Sequence, residues 1–182
     1  MNKINWEKIG KGLEKYRCIM ALYNDSSDLS KEDLFQKRFK GFYRMGRRSE
    51  KYYRDYFRLF EQMREGNKLT IGEVLNKLYL SEKRKELSFA SKMLATIDPK
   101  LPVWDSNVRN LLNNKYKTNF KQSYKEISEC VEAYNELCNW YKLFLKSPEA
   151  TSLIAAFDAH FPKSKISKIK KIDFIFWQTS IK

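Results

Sequence analysis

The chain has 182 residues, of which 42% are hydrophobic and 15% aromatic, so it can bury one core of ordinary domain size. Its 36 lysines and arginines outnumber the 22 acidic residues and leave a formal net charge of +14, which attracts phosphate polymers or other anionic surfaces. A single histidine and three dispersed cysteines exclude a histidine-rich metal site and a disulfide framework. We therefore expect free thiols in a reducing compartment and no cofactor or metal.

Membrane insertion is not expected, because no apolar run reaches the roughly 20 residues that cross a bilayer. Residues 1–24 form a charged amphipathic segment rather than the continuous apolar stretch of a secretory leader. The sequence thus predicts a cytoplasmic protein without a membrane partner. An alternative interpretation of the positive charge is that the lysines only keep a helical protein in solution.

Helical periodicity dominates the chain, and six glycines with four prolines leave few breaks. Capping signals and apolar spacing predict helices over Trp6–Tyr23, Ser30–Gly46, Ser49–Glu65, Thr70–Tyr79, Phe89–Ile97, Ser106–Asn113, Ser123–Lys146 and Pro148–His160. The last element, Ile172–Trp177, is interpreted as a helix or a lone strand, and a lone strand has no partner. We predict an all-α fold over residues 1–182, as a single domain or as two helical lobes that flank a cleft.

Positive charge is concentrated between Lys37 and Arg58, where nine basic residues alternate with seven aromatic ones. In the helix after Ser49, the spacing turns the aromatic residues and Met63 inward and places a basic stripe on another face. That stripe and the preceding turn are candidates for phosphate contact or, equally, for a solvated charged face. The basic residues concerned are Arg47, Arg48, Lys51, Arg54 and Arg58. Two further stretches, Arg109–Lys125 and Lys163–Lys171, carry five basic residues each and no acidic residue.

The segment from Leu87 to Leu112 predicts an apolar helix, an extended turn between Pro99 and Pro102, and a second helix capped by Asp105. As a cap, the Asp105 carboxylate would accept amide hydrogen bonds and stabilise the helix by roughly 0.5–2 kcal/mol. A carboxylate oriented in this way could also stabilise a developing cation. Both roles remain open from the sequence.

The motif Pro-Val-Trp-Asp-Ser-Asn-Val at 102–108 resembles the helix-hairpin-helix DNA glycosylase superfamily, and most closely its 8-oxoguanine DNA glycosylase branch. In that superfamily a Leu-Pro-Gly-x-Gly hairpin precedes a catalytic lysine, an apolar helix and a catalytic aspartate in Asp-x-His. The match runs from Leu80 to Val108 and places Asp105 at the aspartate. Ser-Glu-Lys-Arg-Lys at 81–85 replaces the hairpin glycines, Glu86 stands at the nucleophile position, and asparagine replaces the histidine.

The resemblance implies a DNA repair hydrolase that binds duplex DNA, extrudes a damaged base and cleaves its N-glycosidic bond. Asp105 would stabilise the cationic sugar, Trp104 could stack on the extruded base, and the nucleophile would be Lys92, Lys85 or water. Lys92 lies among small residues that would allow it to be recessed and lose its charge, although a surface lysine is the simpler interpretation. Phosphate contacts would come from Lys83, Arg84, Arg109 and the basic residues between 47 and 58. The alternatives are a catalytically inactive nucleic-acid-binding or interaction module on the same fold, and a helical protein with an acidic protein partner.

Overall fold

The computed structural model describes residues 4–179, which form nine helices and no strand. The protein is therefore all-α, as the periodicity predicts. In chain order the helices are α1 (Trp6–Asp25), α2 (Asp33–Phe42), α3 (Glu50–Arg64), α4 (Ile71–Glu82), α5 (Leu87–Ile97), α6 (Ser106–Tyr116), α7 (Ile127–Phe144), α8 (Pro148–His160) and α9 (Lys168–Thr179).

Helix α2 is shorter at both ends than the sequence predicts. Ser30 does not cap it, because its amide and hydroxyl both donate to the Asp28 carboxylate, at 2.9 and 2.7 Å, and close a separate turn. Glu32 is the N-cap residue instead and accepts a hydrogen bond from the Leu34 amide. The helix ends before Gly46 because Arg44 adopts a left-handed conformation, with φ of 47°.

Helices α7 and α9 also differ from the predicted elements. The prediction that α7 begins at Ser123 is wrong, because Glu126 and Glu129 form a capping box and the Glu129 carboxylate accepts the amides of Lys125 and Glu126. The region 172–177 is helical rather than extended, with Ile172, Phe174, Ile175 and Phe176 all buried. A helix buried on most of its circumference has no clear amphipathic pattern, which is why the sequence left this element ambiguous.

One contiguous cluster of buried apolar side chains includes residues from every one of the described helices. Helix α1 packs on α2 and α9, and α9 also packs on α6 and α8. Helix α4 packs on α3, α5 and α7. The aromatic residues of α3 point inward as predicted, with Tyr56, Phe57 and Phe60 fully buried and Tyr53 only partly so.

The same packing leaves a cleft that is lined by residues of α5, α6, α7 and α9 and of the loops between helices. The loop after α2, the loop between α4 and α5, and the turn before α6 all open onto it. Within residues 4–179, no helix combines the length and hydropathy that a bilayer crossing requires. Cys18, Cys130 and Cys138 are free thiols.

Candidate active site

The cleft encloses about 730 Å³ and joins segments that are distant in sequence. Its walls are the 83–86 loop, the first two turns of α5, the 104–107 turn, the Tyr43–Arg44 pair and Trp177 of α9. Both residues at the centre of the sequence hypothesis, Lys92 and Asp105, line it. The cleft therefore contains both residues on which the predicted chemistry depends.

Lys92 lies on α5 and is only 4% exposed, so its interpretation as a surface lysine is wrong. Burial lowers the pKa of Lys92 to about 8, against the attraction of the Asp105 and Glu86 carboxylates. The ammonium lies 5.3 Å from the centroid of the Phe89 ring. Among the described residues, no carboxylate oxygen lies within 4.0 Å of this ammonium. With this pKa about a tenth of Lys92 is the neutral amine at pH 7, far more than for an exposed lysine, and the neutral amine is the form that a nucleophile requires.

Asp105 is the N-cap residue of α6, as predicted. Its Oδ1 atom accepts hydrogen bonds from the amides of Asn107 and Val108, at 2.8 and 3.4 Å. These bonds fix the direction of the carboxylate, which is half-buried in the cleft wall. Asp105 therefore caps α6, and its carboxylate also interacts electrostatically with Lys92.

Trp104 is a core residue that contributes only an edge of the cleft. It is 6% exposed, and its ring packs against Phe120 and Tyr124 in edge contacts, with centroids 5.3 and 6.0 Å away. Its backbone amide donates to the Ser91 hydroxyl at 2.9 Å, which ties the turn to α5. Trp104 therefore positions Asp105 against the lysine helix and offers little free ring surface.

Basic side chains surround the mouth of the cleft. Lys83, Arg84 and Arg109 line it, so the structure brings these predicted phosphate ligands together with Lys92 and Asp105. Lys85, the other predicted nucleophile, also lines the cleft. Lys83 and Lys85 both lie over the Tyr79 ring, at 5.5 and 5.9 Å from its centroid. This contact holds both ammonium groups beside the loop that replaces the glycine hairpin.

The predicted basic stripe of α3 is separate from the cleft. Lys51, Arg54 and Arg58 are exposed on that helix, and Lys51 is paired with Asp55 at 2.8 Å. Arg47 is also exposed and shares a shallow depression with Arg84 at the edge of the cleft. Arg48 differs from the other four, because its half-buried guanidinium donates to Glu86 at 2.7 Å and is not free for phosphate.

A second, smaller cavity of about 300 Å³ adjoins the cleft and shares Tyr43, Arg44, Asp105 and Trp177 with it. Its polar centre is Asp173, which is 8% exposed and accepts a hydrogen bond from the Tyr141 hydroxyl at 2.6 Å. The other carboxylate oxygen has no hydrogen-bond partner among the described residues, and the nearest cation, Lys170, is 3.6 Å away. Burial raises the pKa of Asp173. Lys8, Lys11 and Lys15 of α1 line the other side.

Four residues of the cleft and the adjoining cavity are not predicted from the sequence, namely Tyr43, Arg44, Asp173 and Trp177. Asp173 and Trp177 are four residues apart and share one face of a helix, a signal that exists only once the region 172–177 is known to be helical. The Arg44 guanidinium lies 5.0 Å from the centroid of the Trp177 ring.

Comparisons of the chain with protein-family models, with curated proteins and with solved structures found no match.

Proposed function

We propose that this protein binds duplex DNA and cleaves the N-glycosidic bond of an extruded base, with Lys92 as an amine nucleophile. The observation that carries the proposal is a buried lysine with no directly bound carboxylate at the floor of a cleft whose mouth is basic. The Asp-containing motif at 102–108 and its resemblance to DNA glycosylases support the same chemistry. The lysine lies six residues further along α5 than the family position, which Glu86 occupies.

The reaction follows from the two groups in the cleft. The neutral amine of Lys92 attacks C1′ of the deoxyribose, and the C1′–N bond breaks as the base leaves with the bonding electron pair and takes up a proton. The Asp105 carboxylate stabilises the positive charge that develops on the sugar. The amine then loses a proton as the sugar ring opens to an imine, which water hydrolyses to release Lys92.

The extruded base would occupy the volume beside Trp177 and Asp173. An indole ring that lines this cavity and a buried carboxyl group with one oxygen that accepts no hydrogen bond suit a planar heterocycle with a hydrogen-bond donor. Phosphates on either side of the extruded nucleotide would meet the basic residues of the mouth, namely Lys83, Arg84, Lys85 and Arg109.

A catalytically inactive DNA-binding module is the second candidate. The 83–86 loop has no glycine, so a backbone approach to phosphate is replaced by lysine and arginine side chains. Asp105 is also fully accounted for as a helix cap. This candidate predicts salt-dependent duplex binding without covalent chemistry.

Borohydride trapping on a duplex with one abasic site tests the nucleophile. The aldehyde of that site forms an imine with a reactive lysine, and reduction makes the link permanent. We expect a cross-link that Lys92→Met abolishes and Lys85→Met retains, with the modified peptide identified by mass spectrometry. Loss in Lys85→Met alone would transfer the role to Lys85. No cross-link in the wild type would reject a lysine mechanism.

Base release tests the enzyme as a whole. On a duplex that carries a single 8-oxoguanine, we expect release that Asp105→Asn abolishes, since asparagine retains the cap and removes the charge. Release that is unchanged in Asp105→Asn, or no release from any base-damaged duplex, would reject the glycosylase. Duplex binding that weakens with salt in the same preparations would then favour the inactive module.

A further inference from the structure

A buried ion pair between Arg48 and Glu86 lies at the wall of the cleft. Glu86 is 7% exposed, and its carboxylate accepts a hydrogen bond from Arg48 Nε at 2.7 Å. Glu86 stands at the N-cap position of α5 but makes no side-chain capping bond there. Its side chain is therefore committed to Arg48, which comes from the segment before α3.

Arg48 of this ion pair and Lys92 both lie beside the aromatic ring of Phe89. The Arg48 guanidinium lies 4.9 Å from the centroid of Phe89, and the Lys92 ammonium lies 5.3 Å from the same centroid. Glu86 and Arg48 consequently act on Lys92 with opposite electrostatic effects. The Tyr52 hydroxyl, which is buried beside the pair, has no hydrogen-bond partner among the described residues.

The charges of Glu86 and Arg48 both act on Lys92. A buried carboxylate without a partner is costly, and the nearby ammonium of Lys92 is the cation that could satisfy it. Such a salt bridge would hold Lys92 in its protonated form. Arg48 gives Glu86 a planar, permanently charged donor, so that Lys92 does not have to pair with Glu86.

We propose that Arg48 is a positioning residue that holds Glu86 away from Lys92, so that the amine remains free to attack an electrophile in the cleft. The role of Lys92 as nucleophile rests on the proposed function, whereas the effect of Arg48 on Lys92 does not. The other ionisable groups near Lys92 come from several segments around the cleft. They are Tyr43 and Arg44 after α2, Tyr52 of α3, Lys83, Arg84 and Lys85 after α4, Asp105 before α6, and Arg109 of α6, and to these are added Tyr124 before α7 and Cys130 of α7.

Competitive acetylation measures the effect without DNA. The protein is treated with a trace of acetic anhydride at a series of pH values, and mass spectrometry compares Lys92 with the exposed Lys37. The midpoint of the labelling curve reports the protonation of Lys92, whereas the plateau reports its accessibility. The readout thus separates a change of charge from a change of exposure.

Three variants give the test its direction. In Arg48→Gln we expect the midpoint to rise by roughly one pH unit and labelling at pH 7.5 to fall about threefold to tenfold, since the released carboxylate attracts Lys92. In Glu86→Gln we expect the midpoint to fall, because Arg48 keeps its charge and loses its partner. The double variant should return toward the wild type.

A purely structural role for the pair would shift both single variants in the same direction, or change only the plateau, and either result would overturn the proposal. Arg48→Lys keeps a cation beside Glu86 and should restore the wild-type midpoint, which controls for unfolding. If the labelling midpoints shift in the predicted directions but the protein releases no base, the role of Arg48 stands and the glycosylase is rejected. If the protein releases base and the midpoint is unchanged in every variant, the glycosylase stands and the role of Arg48 is rejected.

Discussion

Replacing Lys92 by methionine should stabilise the protein at neutral pH, although it removes the proposed nucleophile. Methionine has a similar length, favours helices and carries no charge to bury. Below its folded pKa of about 8 the wild-type lysine is protonated in a site where it is 4% exposed, so folding buries a charge and costs free energy. The variant buries no charge and avoids this cost.

The size of the effect follows from the displacement of the Lys92 pKa from 10.5 to about 8. Because the folded pKa is the lower one, the cost is complete below pH 8 and disappears as the pH rises through 10.5. Linkage gives a difference in unfolding free energy of about 3 kcal/mol at pH 7, about 2 kcal/mol at pH 9 and below about 0.5 kcal/mol at pH 10.5.

Urea unfolding at these three pH values, followed by tryptophan fluorescence, measures the difference directly. Lys37→Met is the matched control, because Lys37 is exposed on α2 and its replacement should change stability little and equally at each pH. A Lys92→Met variant that is less stable than the wild type at pH 7, or whose advantage does not shrink with rising pH, would refute the buried, partly neutral lysine. The proposed nucleophile would then lose its physical basis.

Three further outcomes are expected. Asp105→Ala should lower the unfolding free energy by about 0.5–2 kcal/mol in urea titrations while Asp105→Asn stays near the wild type, and equal losses would contradict the cap. Tyr141→Phe should cost about 1–3 kcal/mol in thermal or urea unfolding, because it removes the hydroxyl that donates to Asp173; a neutral result would show that this bond contributes nothing. Arg54→Gln and Arg58→Gln should each reduce the slope of log affinity for duplex DNA against log salt by about 1, and an unchanged slope would remove α3 from the interface.

Local chemistry explains where the sequence succeeds. The starts of α3 and α6 at Ser49 and Asp105 are predicted correctly, because each cap acts on amides within three residues of itself. The predicted cap at Ser30 is wrong, because the Ser30 amide donates to the carboxylate of Asp28, only two residues away. For α9, the apolar residues on most faces removed the periodic signal that distinguishes a helix from a strand.

The candidate site depended more strongly on tertiary contacts. Its residues come from the loop after α2, from α5, from the turn before α6 and from α9, and no spacing in the chain relates these segments. Small residues around Lys92 predicted that it could be recessed, but not that Phe89 and an Arg48–Glu86 pair would surround it. Asp173 and Trp177 had no signal until their helix was established.

The all-α class, most of the helix boundaries, the positive charge and the cap at Asp105 follow from the sequence, because they depend on composition and on contacts within a few residues. The burial of Lys92, the pairing of Arg48 with Glu86 and the Asp173 oxygen that accepts no hydrogen bond beside the cleft follow only from the packing of the helices. Burial and long-range pairing set the charge state of a side chain, and both arise only when distant helices pack together.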